Sequence, residues 1–167
     1  MTSRILQLLF LLIIVSVTSA YAQSSDGFHY EVGDTPIDIE LKDLNNQSFK
    51  LSDLRGKPVI ISLFSTSCRP CIDELNFLYN QLAEKYDNGD VEILAIGCGH
   101  IPLELEYFNE DYLFNFTFIP DYKKSICNQL AHSGVPRCIL IDKDGRIIAQ
   151  KAGFEEYELL GLIDLVK

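Results

Sequence analysis

The chain has 167 residues, of which 47% are hydrophobic, and its formal net charge is −10. This length fits one folded domain with a single hydrophobic core. The excess of acidic residues argues against nucleic acid as a partner, and their scattered positions are typical of a soluble surface.

Residues 1–22 have the three parts of a secretory signal peptide. Arg4 precedes an apolar run from Ile5 to Val17, and the small residues after it end at Ala20-Tyr21-Ala22. The run is shorter than the roughly 20 residues of a membrane span. We predict export to the periplasm with cleavage after Ala22. The alternative is an uncleaved anchor that tethers the domain to the outer face of the inner membrane.

Residues 23–31 are polar and predict a flexible N-terminus, followed by one domain over residues 32–167. Apolar residues then alternate between strand-like and helix-like spacing, which predicts an α/β fold with a central sheet flanked by helices. In chain order the expected elements are a hairpin at 37–41 and 48–51, a buried central strand at 58–64, a helix ending at Asn88-Gly89, a strand at 91–97, a helix at 103–113, a strand at 115–119, a helix near 124–132, a strand pair at 138–141 and 146–150, and a last helix from 155.

Cys68-Arg69-Pro70-Cys71 lies between the buried strand 58–64 and the helix that follows it. Two thiols three residues apart at a helix start can face each other, and the helix dipole there stabilises a thiolate on the first. Cys68 is therefore the predicted nucleophile and Cys71 the resolving thiol. A purely structural bridge is less favoured, because closing so short a loop constrains the unfolded chain little.

Three further cysteines make an odd total of five, so at least one thiol is unpaired or pairs outside the chain. Cys138 begins a predicted strand and is expected to be a small buried hydrophobic residue. Cys98 and Cys127 are candidates for a disulfide, although spacing does not fix their connectivity.

The ordered motifs of this chain resemble a known family, the exported thioredoxin-like thiol:disulfide oxidoreductases of the TlpA/ResA type within the AhpC/TSA-thioredoxin superfamily. The resemblance implies a thioredoxin-like fold, a central mixed β-sheet with an N-terminal β-hairpin extension. The motifs that carry it are Gly33-Asp34-x-Pro36, Leu51-Ser-Asp-Leu-Arg-Gly-Lys57, Cys68-x-Pro70-Cys71, Gly134-Val135-Pro136 and Leu140-Ile-Asp-Lys-Asp-Gly145.

The resemblance also implies roles for residues outside the cysteine pair. Pro136 corresponds to a cis-proline beside the thiols, and the backbone of Val135 is expected to pair with an extended partner peptide. Glu74 stands where the family carries an acidic residue, with a proposed role in proton exchange with the cysteines. Arg69 and Pro70, between the thiols, are expected to contact the partner.

The chain departs from the family beside the thiols. Ser67 and Phe64 stand where tryptophans are common, and the chain contains no tryptophan. We therefore expect that Cys68 lacks the flat aromatic side chain that a tryptophan at position 67 would place beside it. Arg69 adds a cation next to Cys68, which is expected to stabilise its thiolate and make the disulfide somewhat more oxidising.

These observations predict a periplasmic, monomeric thiol:disulfide oxidoreductase acting on protein disulfides as a reductant, resupplied by a membrane electron donor. The resemblance implies that its substrates are apocytochromes, as in cytochrome c maturation, or other envelope proteins. No cofactor is expected, because the cysteines themselves carry the electrons. One alternative is a copper chaperone that binds metal through Cys68, Cys71 and His132. A weaker alternative is a peroxiredoxin-like peroxidase, which favours threonine at the position of Ser65.

Overall fold

The structure is a computed structural model that describes residues 27–166, so the predicted signal peptide 1–22 lies outside the described residues. Within that range, no helix has the length and apolar character needed to cross a bilayer. Two short 3-10 turns cover Leu51–Leu54 and Asp164–Val166. The other elements are β1 (Glu40–Lys42), β2 (Ser48–Lys50), β3 (Val59–Phe64), α1 (Arg69–Asp87), β4 (Glu92–Cys98), α2 (Pro102–Tyr112), β5 (Thr117–Asp121), α3 (Cys127–Leu130), β6 (Arg137–Ile141), β7 (Ile147–Ala152) and α4 (Glu156–Ile163).

Five strands form one mixed sheet in the order β5-β4-β3-β6-β7. Strands β3, β4 and β5 run parallel, joined by the crossover helices α1 and α2, whereas β6 is antiparallel to β3 and β7 to β6. The antiparallel pair β1-β2 forms a separate hairpin. The predicted mixed sheet, its central strand and the N-terminal hairpin are confirmed.

Strand β3 is buried along its whole length because it lies at the centre of the sheet, covered on both faces. Its side chains alternate between the faces, as a strand requires. Ile60 and Phe64 belong to one hydrophobic core, and Ile61 and Leu63 belong to the core on the opposite face. This alternation puts Ser62, the one polar residue of the strand, on the same face as Ile60 and Phe64.

Helix α1 follows directly from the end of β3. Cys68 is its N-cap and Pro70 lies in its first turn, where a missing backbone N–H costs no hydrogen bond. Cys71, Leu75, Leu78 and Leu82, at helical spacing, are fully buried against the sheet. The register of this apolar face fixes the rotation of the helix, and with it the direction in which Cys71 points.

The helix predicted near residues 124–132 is shorter than expected, covering only Cys127–Leu130. The buried carboxylate of Asp121 accepts the backbone N–H groups of Ser125, Ile126 and Cys127 and holds this segment as a turn. Ala131 is extended, because it pairs with Phe28 in an isolated β-bridge. Long-range pairing, which helical spacing does not reveal, therefore ends the helix early.

The described part of the predicted N-terminal segment lies against the domain at this same point. Phe28 is buried, with 4% exposure, and His29 N–H donates to the carbonyl of Leu130 at 3.0 Å. The predicted strand at 37–41 pairs only from Glu40 onward, since the N–H of Ile37 donates to the Tyr30 hydroxyl instead.

Candidate redox-active site

Cys68 and Cys71 lie at the N-terminus of α1, just beyond the end of the central strand. Their sulfurs form a disulfide, with Cα atoms 5.2 Å apart. The backbone N–H of Cys71 donates to Sγ of Cys68 at 3.3 Å. Cys68 is half-buried, whereas Cys71 is fully buried. A reacting thiol therefore reaches the sulfur of Cys68 first, and a helix N–H is placed to stabilise a thiolate there.

The loop before β6 lies against the disulfide. The Val135–Pro136 peptide bond is cis, which confirms the conformation predicted for Pro136. The carbonyl oxygen of Val135 is 3.9 Å from Sγ of Cys68. The backbone at Val135 is thus close enough to Cys68 to pair with an extended peptide that lies beside the disulfide.

Arg69 and Pro70 are exposed between the two cysteines. Arg69 Nε lies 3.2 Å from Asp73 Oδ1, and their side chains are 81% and 40% exposed. So exposed a pair contributes at most about 1 kcal/mol to stability. The ion pair matters instead for the charge near Cys68. Asp73 partly neutralises the Arg69 cation, which was predicted to stabilise the Cys68 thiolate.

Aromatic residues cluster in the hydrophobic core that contains Cys71. Phe64 is fully buried, and its ring centroid lies 5.5 Å from that of Phe108 and 5.9 Å from that of Phe118. Ser67, directly before Cys68, is exposed. Phe64 therefore packs in the hydrophobic core that also contains Cys71.

Glu74 is buried beneath the cysteines, with 0% exposure. The hydroxyl of Ser62 donates to its Oε1 at 2.6 Å, whereas Oε2 is buried without a hydrogen-bond partner. Burial raises the pKa of Glu74 to about 7, against the opposing effect of the Ser62 hydrogen bond. Because Glu74 follows Cys71 by three residues, both lie on the inward face of α1.

Cys138 lies opposite Ser62 in the β3–β6 register and is a fully buried free thiol. Burial raises its pKa well above the ordinary value, and the charge of Glu74 adds to the shift. Such a thiol is unreactive, since the thiolate is the nucleophile. The predicted burial of Cys138 is confirmed.

His100 contacts the loop that leads into Cys68, a role that the sequence analysis missed. Its Nε2 lies 3.1 Å from the hydroxyl of Ser65 and accepts the backbone N–H of Thr66 at 3.3 Å. Its Nδ1 lies 3.2 Å from Glu104 Oε2. His100 therefore holds the loop before Cys68 in place through its contacts with Ser65 and Thr66. A histidine two residues after a buried strand was the available signal.

A second disulfide joins Cys98, at the end of β4, to Cys127, at the start of α3. This pairing was one of the possibilities left open by the sequence. His132, the metal ligand considered for a copper chaperone, has its ring 4.8 Å from that of His29. Among residues 27–166, no group of three or more His, Cys, Asp or Glu side chains is arranged to hold a metal ion.

Arg137, directly after the cis-proline, is buried and donates hydrogen bonds to the loop that precedes β6. Its Nε donates to the carbonyls of Ser133 and Gly134, and Nη2 donates to the Ser133 hydroxyl. The guanidinium carbon lies 4.7 Å from the centre of the Phe28 ring. One side chain therefore connects the N-terminal segment to the loop beside Cys68.

Similar proteins of known sequence are thiol-disulfide oxidoreductases called ResA. The chain is 34% identical over 116 residues to ResA of Geobacillus thermodenitrificans, covering 70% of this chain but only 66% of that relative. It is 29% identical over 157 residues to ResA of Bacillus anthracis, covering 94% and 90% of the two chains. The resemblance to the ResA type is confirmed.

Solved structures show the same fold. A putative protein disulfide isomerase from Bacteroides thetaiotaomicron superimposes with a TM-score of 0.79 at 22% identity, covering 84% of this chain and 90% of that one. A putative thioredoxin from Neisseria meningitidis gives 0.69 at 26% identity, covering 80% and 90%. The fold is therefore thioredoxin-like.

The model of the AhpC/TSA family matches residues 32–150. This segment begins before the N-terminal hairpin and ends in β7, so it includes the cysteine pair, Glu74 and the cis-proline loop. Since the match covers most of the sequence, the chain belongs to the AhpC/TSA family.

Proposed function

We propose that this protein is an exported, monomeric thiol-disulfide oxidoreductase that reduces disulfides of envelope proteins and is itself re-reduced by a membrane electron donor. The single observation that carries the proposal is the disulfide between half-buried Cys68 and buried Cys71, with Sγ of Cys68 lying 3.9 Å from the Val135 carbonyl oxygen. The signal-like residues 1–22 support the periplasmic location, and the ResA relatives support the chemistry.

The reaction runs through a mixed disulfide. In the reduced protein, the Cys68 thiolate attacks one sulfur of the partner's disulfide and releases the other as a thiolate, which takes up a proton. Cys71 then loses its proton and attacks Sγ of Cys68, which frees the partner as a dithiol. Two electrons pass from the protein to the partner, and the Cys68–Cys71 disulfide is left.

Glu74 is the group that we propose takes the proton from Cys71. It is the buried carboxyl on the same helix face, and its pKa of about 7 lets it exchange protons near neutral pH. Its Oε2 makes no hydrogen bond in the described structure and is therefore free to accept one. Ser62 holds the other oxygen in place.

The direction of electron flow is tested by the reduction potential of the Cys68–Cys71 pair. We expect a value in the reducing half of the range from about −270 mV, typical of thioredoxin, to about −120 mV, typical of a strong oxidant. Equilibration with glutathione or dithiothreitol and quantification of the two forms by thiol alkylation measures it. A value near the oxidising limit would reverse the proposed direction.

Arg137 is proposed as a positioning residue for the partner. Replacing it with alanine removes its hydrogen bonds to Ser133 and Gly134, so the Val135 backbone is no longer held beside Cys68. We expect KM for a protein disulfide to rise about tenfold, the equivalent of about 1.4 kcal/mol, with kcat changed less than about twofold.

The exposed Arg55 provides a matched control, since Arg55→Ala removes the same charge from the surface. Arg137→Lys keeps the charge but loses the planar fork, so we expect it to restore KM only in part. A fall in kcat at constant KM would contradict the positioning role, as would full activity of Arg137→Ala.

A further inference from the structure

The Cys98–Cys127 disulfide lies in the wall of a cavity that is also lined by residues next to Cys68. The cavity has a volume of about 310 Å³, and Cys98 and Cys127 line it together with Ser65 and Val135. Cys98 is half-buried, and Cys127 is 6% exposed. The second disulfide is therefore accessible from the cavity, chiefly through Cys98.

Two of the lining residues also contact Cys68. The carbonyl oxygen of Val135 lies 3.9 Å from Sγ of Cys68, and the carbonyl of Ser65 accepts the backbone N–H of Cys68 at 3.0 Å. A peptide that lies along Val135 therefore borders both disulfides at once. Its place in the wall of this cavity distinguishes the Cys98–Cys127 disulfide from one that is enclosed in a core.

The segment around Cys127 is held independently of the disulfide. Asp121 accepts three backbone N–H groups there, from Ser125, Ile126 and Cys127, at 2.8 to 3.0 Å. Opening the disulfide leaves these bonds intact, so the turn persists and the sulfurs stay near each other. Lys124 lines the same cavity, and a cation near a leaving thiolate favours its release.

We propose that Cys98–Cys127 is a second exchangeable disulfide, opened by dithiols that enter the cavity beside Cys68. A thiolate of the incoming dithiol attacks Sγ of Cys98, forming a mixed disulfide and breaking the Cys98–Cys127 bond; Cys127 leaves as a thiolate and takes a proton from water. The second thiol of the dithiol then loses its proton and attacks the sulfur of the mixed disulfide that came from the dithiol. This step closes a disulfide within the dithiol and releases Cys98 as a thiolate, which takes up a proton. The dithiol ends oxidised by two electrons, and Cys98 and Cys127 end as thiols.

The test uses the full chain with Cys68→Ser and Cys71→Ser, which removes the proposed catalytic pair. Native protein is incubated with dithiothreitol or with a peptide carrying two cysteines, then alkylated and mapped by mass spectrometry. We expect alkylation of Cys98 and Cys127 to rise at least about tenfold. Cys138 is the internal control, because it is fully buried and is alkylated only on unfolding.

Wild-type protein is mapped in parallel, in case the double variant does not fold. The proposal is overturned if Cys98–Cys127 stays closed in a dithiol buffer that opens Cys68–Cys71, or if Cys98 is alkylated only together with Cys138. Because the double variant lacks the catalytic pair, its result does not depend on the proposed function. Failure of that function would instead appear as inactive wild-type protein.

Discussion

Replacing Cys68 with serine is expected to abolish reduction of a protein disulfide, lowering the rate at least about a thousandfold, because a hydroxyl does not replace a thiolate in disulfide exchange. Cys68 holds the accessible sulfur of the pair, and Cys71 is fully buried, so Cys71 is not placed to take over the attack. Release of a fluorophore from a peptide disulfide measures the rate. Cys138→Ala is the matched control, since it removes a buried thiol outside the reacting pair.

Cys71→Ser is expected to behave differently from Cys68→Ser. The first attack is retained, but nothing resolves the mixed disulfide, so a covalent complex between Cys68 and the partner accumulates. Non-reducing electrophoresis followed by mass spectrometry identifies the partner. Undiminished turnover in Cys68→Ser, or a trapped complex through Cys71 in that variant, would contradict the assignment of Cys68 as the nucleophile.

Glu74→Gln is expected to stabilise the oxidised protein above pH 7. The pKa of Glu74 is raised from 4.5 to about 7, so the folded state holds a proton that the unfolded state releases between those values. The contribution of Glu74 to stability is therefore fully present below about pH 4.5, is lost as the pH rises through about 7, and changes little above that. The loss in free energy of unfolding is about 3 kcal/mol from this group.

Urea unfolding at pH 4.5 and pH 8 measures this effect. The glutamine variant should lose less stability between the two pH values than wild type, and the difference should approach about 3 kcal/mol. Glu84→Gln is the matched control, an exposed glutamate on the same helix, and should change stability by less than about 0.5 kcal/mol. Equal pH dependence of wild type and Glu74→Gln would show that Glu74 does not titrate as described.

The same substitution should slow the resolving step. Without a carboxylate to accept a proton from Cys71, the decay of the mixed disulfide is expected to lose its dependence on pH near 7. Stopped-flow mixing of reduced protein with a chromogenic disulfide separates attack by Cys68 from resolution by Cys71. If Glu74→Gln is more stable than wild type but resolves the mixed disulfide more slowly, the buried carboxyl serves the chemistry of the site and not the stability of the fold.

Local sequence pattern predicted most of what positions the site. The apolar run 58–64, the cysteines after it and the helical spacing of Leu75, Leu78 and Leu82 are sufficient to put the thiols at a helix N-terminus behind a central strand. The cis-proline was expected only from the family resemblance, because an X–Pro sequence by itself does not specify the isomer.

The environment of Glu74 was not predictable in the same way. Its burial depends on Ser62, twelve residues earlier on another element, and on Cys138, which lies opposite Ser62 in β6. The single polar residue in the run 58–64 was the one local sign that a buried polar partner existed. The burial of Arg137 was likewise not predictable from its neighbours in sequence. It depends on the ring of Phe28, which is distant in the chain, and on the carbonyls of Ser133 and Gly134.

The bridge between Phe28 and Ala131 fixes where the chain enters the domain. Ala131 lines the cavity beside Cys68, so the polypeptide arrives at the rim of the reacting end. Only the residues from 23 to 27 separate this point from the predicted cleavage site, and fully extended they reach at most about 18 Å. An uncleaved leader would thus hold the disulfide close to the lipid surface, whereas cleavage would let the protein diffuse through its compartment.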